Sequence, residues 1–336
     1  MHKAGQRACR GYPLLVASVV AAGAALLAPA SAEACATCGC TLSSDAALGF
    51  GVLPGWRLSL EYDYINQDEL RNGTRAVTTV PNGTELEHDT LNQYITAGVS
   101  YAPNFDWSFQ LFAPYVVRSH STYGTYESSE PLPDLSYANF AKPGDVRLIA
   151  NYQGFMSSGE LGVQAGVKLP TGEYGTAIHF SSGPNAGQPL DASLQPGTGS
   201  TDVIAGAYYQ HPVSNSLELF ASAQFQAAIR ERLDQPGNNY RPGNSTTGTV
   251  GLRYEADPRW VPQLQLNLLH KAPDTGALAD VQNTAGTVLY VSPGMTLQLA
   301  HKLIAFGFVQ LPLYSNLYGY QLFPHYSASV GLSYTP

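Results

Sequence analysis

The stretch GWRLSLEYDYI, Gly55–Ile65, alternates strictly. Trp56, Leu58, Leu60, Tyr62 and Tyr64 fall on one face of an extended chain, and Arg57, Ser59, Glu61 and Asp63 on the other. Successive side chains of a β-strand point to opposite sides, so a period of two predicts a strand with one apolar and one charged face. The pattern recurs. Trp107, Phe109, Leu111, Ala113, Tyr115 and Val117 make a second apolar row, and Leu161, Val163, Ala165, Val167 and Leu169 oppose Gly162, Gln164, Gly166 and Lys168. Leu217, Leu219, Ala221, Ala223 and Phe225 oppose Glu218, Ser222 and Gln224. Near the C-terminus, Tyr326, Ala328, Val330, Leu332 and Tyr334 oppose Ser327, Ser329, Gly331 and Ser333.

Counted this way, the chain holds about twelve strands, near 55–65, 91–102, 107–118, 145–155, 160–170, 201–210, 216–229, 246–254, 261–271, 287–300, 303–314 and 324–334. Their connections alternate in length. Short turns at 103–106, 156–160, 211–215, 255–259 and 301–302 take turns with long polar loops at 66–90, 119–144, 171–200, 230–245 and 272–286, with a shorter one at 315–323. An even number of antiparallel strands, short turns at one end and long loops at the other is the plan of an all-β transmembrane barrel, an up-and-down meander with both termini on the periplasmic side. Closure leaves no unpaired strand edge in lipid. A soluble β-sandwich also alternates, but it turns its polar face outward and has one core to fill, too small for so many apolar rows. Trp56, Tyr101, Trp107, Tyr254, Trp260 and Tyr334 stand at the short-turn ends, and Tyr62, Tyr64, Tyr94 and Tyr115 toward the long loops, as two interfacial girdles require.

Composition agrees. Only 12% of residues are charged, about half the fraction usual in a soluble domain, and Tyr (21) exceeds Phe (12) and Trp (3). The formal charge of −8 argues against nucleic acid as a partner. Lys3, Arg7 and Arg10 precede the uncharged run Leu14–Ala28, and small residues lead to Ala32, so residues 1–32 read as a signal peptide. That run is too short and too poor in bulky residues for a comfortable membrane span, and no run of eighteen apolar residues occurs elsewhere, so helical spans are not expected. The expected layout is a leader (1–32), a periplasmic N-terminal segment (33–54) and an outer-membrane barrel (55–336), monomeric or weakly oligomeric.

Two glycine-rich stretches, LPTGEYGT (Leu169–Thr176) and LQPGTGSTD (Leu194–Asp202), look like phosphate loops. Neither has a Lys-Ser/Thr pair opening a helix, so they are read as strand-exit and strand-entry turns around the longest loop. The same residues carry a resemblance. GVKLPTG (Gly166–Gly172) followed by PGTGSTD (Pro196–Asp202), then YVSPGMTLQL (Tyr290–Leu299) and VQLPLYSNLYGYQL (Val309–Leu322), resembles the outer-membrane transporter family named for a MetA pathway of phenol degradation, over roughly Asp145 to Tyr334. The resemblance implies a barrel that passes small, often aromatic or otherwise apolar, compounds, and it fixes no substrate. Barrels of this kind usually end on an aromatic residue, whereas here Thr335 and Pro336 follow Tyr334.

The inward rows predict the lining. Arg57, Glu61, Asp63, Arg147, Lys168, Glu218, Arg253 and Lys271, with Gln224, Gln226, Gln263 and Gln265, mix both signs with hydrogen-bonding groups. Such a lining suits a narrow polar passage better than a strongly ion-selective pore, although the same charges could pair across the interior and close it. Loop 171–200 is long enough to fold inward as a constriction, and IAFGFVQL (Ile304–Leu311), apolar on both faces, offers a greasy stripe or a packing surface for that loop.

Covalent chemistry has little support. No Gly-x-Ser-x-Gly or His-Glu-x-x-His occurs. Among histidines in the predicted strands, only His325 stands two residues from a serine, Ser327, on what alternation makes one face. A lipase- or protease-like barrel enzyme and a closed structural barrel are the alternatives to a channel, and no enzyme activity is expected. The remaining chemistry is CATCGC, which places Cys35, Cys38 and Cys40 on the N-terminal segment without the His that haem attachment needs. Three thiolates on a short loop suit a soft metal such as Cu(I) or Zn²⁺, and two of them equally suit a disulfide. The reading is a channel for small molecules. Its expected partners are outer-membrane lipid, a small-molecule solute, and a periplasmic redox or metal-handling protein that meets the thiols.

Overall fold

The computed structural model describes residues 53–156 and 158–336, and Cys35, Cys38 and Cys40 lie outside them. The strands are β1 (Gly55–Gly73), β2 (Arg75–Ala76), β3 (Glu85–Ala102), β4 (Trp107–Thr125) and β5 (Ser136–Pro143). They continue with β6 (Val146–Tyr152), β7 (Leu161–Leu169), β8 (Ser200–Ser214), β9 (Leu217–Glu231) and β10 (Asp234–Gln235). The last are β11 (Asn238–Asn239), β12 (Ser245–Tyr254), β13 (Trp260–Lys271), β14 (Gly286–Ala300) and β15 (Leu303–Tyr334).

The strands β1, β3, β4, β6, β7, β8, β9, β12, β13, β14 and β15 pair antiparallel in that order, and β15 pairs with β1, so the sheet closes on itself. Eleven elements form the ring, with β2 and β5 at its margin and β10–β11 a separate hairpin. An odd number of strictly alternating strands cannot close antiparallel. The last element resolves this. Its Leu303–Leu317 portion pairs with β14, its Leu317–Tyr334 portion pairs with β1, and the chain doubles back at Gly319, whose φ of 67° suits the reversal. Twelve passes therefore cross the barrel, as the alternation predicts.

The faces are inverted relative to a soluble barrel. Trp56, Leu58, Leu60, Phe109, Leu111, Val250, Leu264, Leu266, Val309, Val330 and Leu332 are all exposed on the outside. Inside, Asn92, Gln265, Asn267, Ser292, Gln310 and Ser329 are buried. An apolar band of this extent exceeds what a monomer in water exposes and matches a lipid-facing wall. Trp56 and Tyr101 pack at 4.7 Å between ring centroids and Trp107 and Tyr152 at 4.8 Å, which builds the short-turn girdle. Tyr64 and Tyr326 stack at 6.3 Å toward the other end. Tyr94 departs from expectation. It pairs with Val116 on β4, faces inward and bonds with Arg118, so it belongs to the interior and not to a girdle.

The strands also run further than alternation indicates at the long-loop end. β1 continues to Gly73 and β4 to Thr125, so His120 and Ser121 lie within a strand and not in a connection. Above the apolar band both faces of these strands carry polar residues such as Asn66, Gln67 and Asp68, which removes the period-two signal. The extensions are held instead by a small core of Leu70, Val80, Leu86 and Leu322.

Candidate functional site

The eight charged residues expected to face inward take inward positions by pairing and alternation, and adjacent strands hold several of them against the wall. Lys168 on β7 directly opposes Asp202 on β8, and Arg253 on β12 directly opposes Glu218 on β9. Their contacts are 3.0 Å and 2.7 Å. Lys271 reaches the fully buried Asp274 at 2.8 Å. Asp63 accepts a hydrogen bond from Ser329 on its partner strand, and the Arg147 guanidinium lies 5.8 Å from the Phe112 ring centre. Arg57 and Glu61 share the inner face with Asp63. The charge pairs run along the wall and not across the interior, because directly opposed positions of neighbouring strands are much closer than opposite walls.

The Lys168 pair is part of a larger buried knot. Lys168 Nζ also lies 3.3 Å from Asp145 and donates to Thr198 and Ser200. Asp145 accepts from the backbone N–H of Gly172 (3.1 Å) and of Thr198 (2.9 Å). Ser200 and Gln226 donate to Asp202, each at 2.6 Å. Where these segments cross, a Cβ on Gly172 would lie 2.9 Å from Gly197, so only glycine fits there. The glycine-rich stretches on either side of loop 170–199 thus form one clamp that fixes both ends of the loop to the barrel. The strand-exit and strand-entry reading of these residues holds, but it misses Asp145, the carboxylate that joins them.

Between its fixed ends, loop 170–199 turns inward. Ile178, Phe180, Leu190 and Leu194 pack on Val116, Ala138 and Phe140, the inward residues of β4 and β5, with Tyr94 beside them. Arg118 of β4 pins the middle of the loop by donating to the Leu194 carbonyl, and it also donates to Asn92 and to Tyr94 Oη (2.9 Å). His120 bonds Thr90 at 2.7 Å in the same layer. Loop 170–199 is therefore an internal constriction, as its length allows.

Toward the short-turn end the interior is aromatic. Gly98 opposes Phe112, Gly162 opposes Tyr208, Gly251 opposes Phe220 and Gly294 opposes Phe308, each directly across a strand pair. Phe306 covers Gly331 in the same manner. A methyl on Gly162, Gly251, Gly294 or Gly331 would overlap the ring, so the glycines let the rings lie flat along the wall. The inner face of Ile304–Leu311 supplies two of these rings, so loop 170–199 packs elsewhere. A polar ladder stands above them, with Thr249 donating to Asn267 (2.8 Å) and Asn267 to Ser292 (2.7 Å).

His325 and Ser327 do not share a face. The register shift between β1 and β15 leaves His325 exposed and 3.7 Å from Asp68, while Ser327 is buried inside and bonded to Gln310 at 3.0 Å. Among the described residues, no three His, Cys, Asp or Glu side chains gather as a metal site.

No protein-family model and no curated protein matches the chain. Among solved structures, an outer membrane channel from Pseudomonas putida F1 superposes with a TM-score of 0.59 at 12% identity, covering 85% of this chain and 98% of that one. The CymD monoaromatic hydrocarbon channel gives 0.45 at 10% identity over 85% and 89%, and the Ralstonia pickettii toluene transporter TbuX 0.42 at 10% over 84% and 90%. The first of these likenesses shows that the chain has the fold of a known outer-membrane barrel.

Proposed function

We propose that the chain is an outer-membrane channel for small solutes, with the short turns in the periplasm and the long loops outside the cell. One observation carries the reading. A closed twelve-pass barrel has an apolar exterior and a polar, partly aromatic interior, and one loop narrows that interior from within. The outward band requires lipid. The polar interior, into which one loop folds, suits passage selected by width and hydrogen bonding. The fold shared with the Pseudomonas putida channel agrees with this.

The solute class is read as small apolar or aromatic molecules. The resemblance to the transporter family named for phenol degradation supports it, and so do the inward rings of Phe112, Tyr208, Phe220, Phe306 and Phe308. Segment 33–54 would carry Cys35, Cys38 and Cys40 into the periplasm for redox or soft-metal exchange with a partner there. Thiol titration and metal analysis of the natively secreted protein test that part, and one disulfide with no metal would end the metal reading. Liposomes containing the purified protein test the channel itself. They should swell in small neutral solutes, faster for benzyl alcohol than for a sugar of equal mass. Equal, protein-independent rates would reject the proposal.

A further inference from the structure

A groove of about 890 Å³ lies at the long-loop end, where β7 stops at Leu169 while β8 and β9 continue to their Ser200–Glu231 pairing. Its lining joins Leu169, Tyr174 and Ile229 to the guanidinium-bearing Arg230 and Arg232. Leu169 and Thr201 take outward positions by alternation, and Ile229, set off by a register shift in β9, is 59% exposed, so the groove opens on the outer wall. Among the described residues, the Arg230 side chain makes no hydrogen bond or ion pair. That of Arg232 only lies over the Tyr174 ring, 5.7 Å from its centre. The two nearby carboxylates are engaged. Glu231 pairs with Arg241, and Asp234 accepts from Gln235 at 2.8 Å.

The level of the groove matters. From Leu217 at the short-turn end of β9 to Ile229, a tilted strand climbs about 30 Å, close to the full height of the apolar band of a membrane barrel. The outward row of β9 stays apolar up to Ile229 and becomes basic at Arg230. An apolar surface that ends in two guanidinium forks at the outer headgroup level is complementary to an acyl chain beneath a phosphate. Guanidinium binds phosphate through paired N–H donors, more selectively than an ammonium does.

Resting on the outer-membrane reading above, we infer that this groove binds a phosphorylated glycolipid of the outer leaflet, with lipid A phosphate between Arg230 and Arg232 and an acyl chain along Ile229 and Leu169. The site anchors the outer rim beside the loop clamp, since Thr171 lines the groove and donates to the Gly144 carbonyl next to Asp145 (2.9 Å).

The test uses the full-length protein refolded in lipid A-free detergent, titrated with bis-phosphorylated lipid A and with its dephosphorylated counterpart and read by native mass spectrometry. The phosphorylated form should bind about tenfold or more tightly than the dephosphorylated one, the ratio expected for lost charged hydrogen bonds. An Arg230→Ala/Arg232→Ala variant should erase that difference, while Arg259→Ala, in an exposed short turn, should keep it. Inorganic phosphate should not compete. Equal binding of the two lipids, or a difference that survives the double substitution, overturns the site, as does a loss that Arg259→Ala reproduces. Binding of inorganic phosphate alone would show an anion site and not a lipid site. Density fractionation of cell envelopes judges the outer-membrane reading separately, so its failure is told apart from that of the groove.

Discussion

Lys168 and Asp202 face each other directly across β7 and β8 with 3.0 Å between Nζ and the carboxylate, and Asp145 closes the triangle at 3.3 Å from Nζ. All three side chains are nearly inaccessible to solvent. The triangle ties three stretches that are far apart in sequence, and the loop narrowing the interior starts and ends there. Lys168→Met would leave two carboxylates buried without their cation. Breaking a buried pair from one side costs about 3–5 kcal/mol. The variant should therefore show that loss in urea-dependent refolding, with new protease cleavage inside 170–199. Wild-type stability and resistance would contradict the clamp.

Arg118 holds the middle of the same loop. Arg118→Met removes the donor to Leu194, Asn92 and Tyr94, and each orphaned buried acceptor costs about 1–3 kcal/mol. Because the loop narrows the barrel, the variant should conduct more than wild type in planar bilayers while its barrel still migrates as a folded, heat-modifiable band. A folded variant with unchanged conductance would show that the loop does not limit flux.

The glycines beneath the inward rings make a separate claim. A methyl at Gly294 overlaps the Phe308 ring, and overpacking of this kind costs about 1–3 kcal/mol. Phe308→Ala in the same chain should relieve most of it, so the double-mutant cycle should be strongly non-additive. Additive effects would mean that ring and glycine are not coupled.

In the turn before β13, the Arg259 side chain and backbone N–H both donate to Asp257, which holds this carboxyl at about 2. A carboxylate lowered on folding adds stability above its unfolded value, and the contribution disappears as pH falls through the folded one. Carbon-detected NMR should find Asp257 still ionised at about pH 3, below the ordinary aspartate value, and Arg259→Ala should move it part of the way back, because the backbone N–H of residue 259 still donates. A midpoint near the ordinary value in wild type would remove the turn contact.

Much of this architecture is legible in the sequence because membrane strands obey a simple rule. Trp56, Leu58, Leu60, Tyr62 and Tyr64 face outward while the residues between them face inward, so the alternation survives and fixes the strand, its faces and its place in a closed sheet. The rule fails where the environment changes. Beyond the apolar band, Asn66–Asn72 is polar on both faces apart from Leu70, which packs with Val80, Leu86 and Leu322, and the β1 extension leaves no periodic trace. Tyr94 reads as an interfacial ring because its chemistry fits either side of the wall, and only its pairing with Val116 assigns it inward. His325 and Ser327 mislead for a related reason, since a register shift alters the parity on which face counting depends. The Lys168 clamp is half visible. Lys168 and Asp202 both have inward parity, but nothing local in the sequence brings Asp145 to them, because that contact arises from the crossing of three glycine-lined segments. The phosphate-loop likeness of those segments has the same origin, since close backbone approach needs glycine whatever its purpose.

The central claim is that the barrel interior passes solute despite its constriction. Planar-bilayer recording of the purified full-length protein tests it most directly. The structure predicts discrete, small conductance steps that enlarge in Arg118→Met, whereas a folded, inserted protein that yields no steps in either form would contradict it.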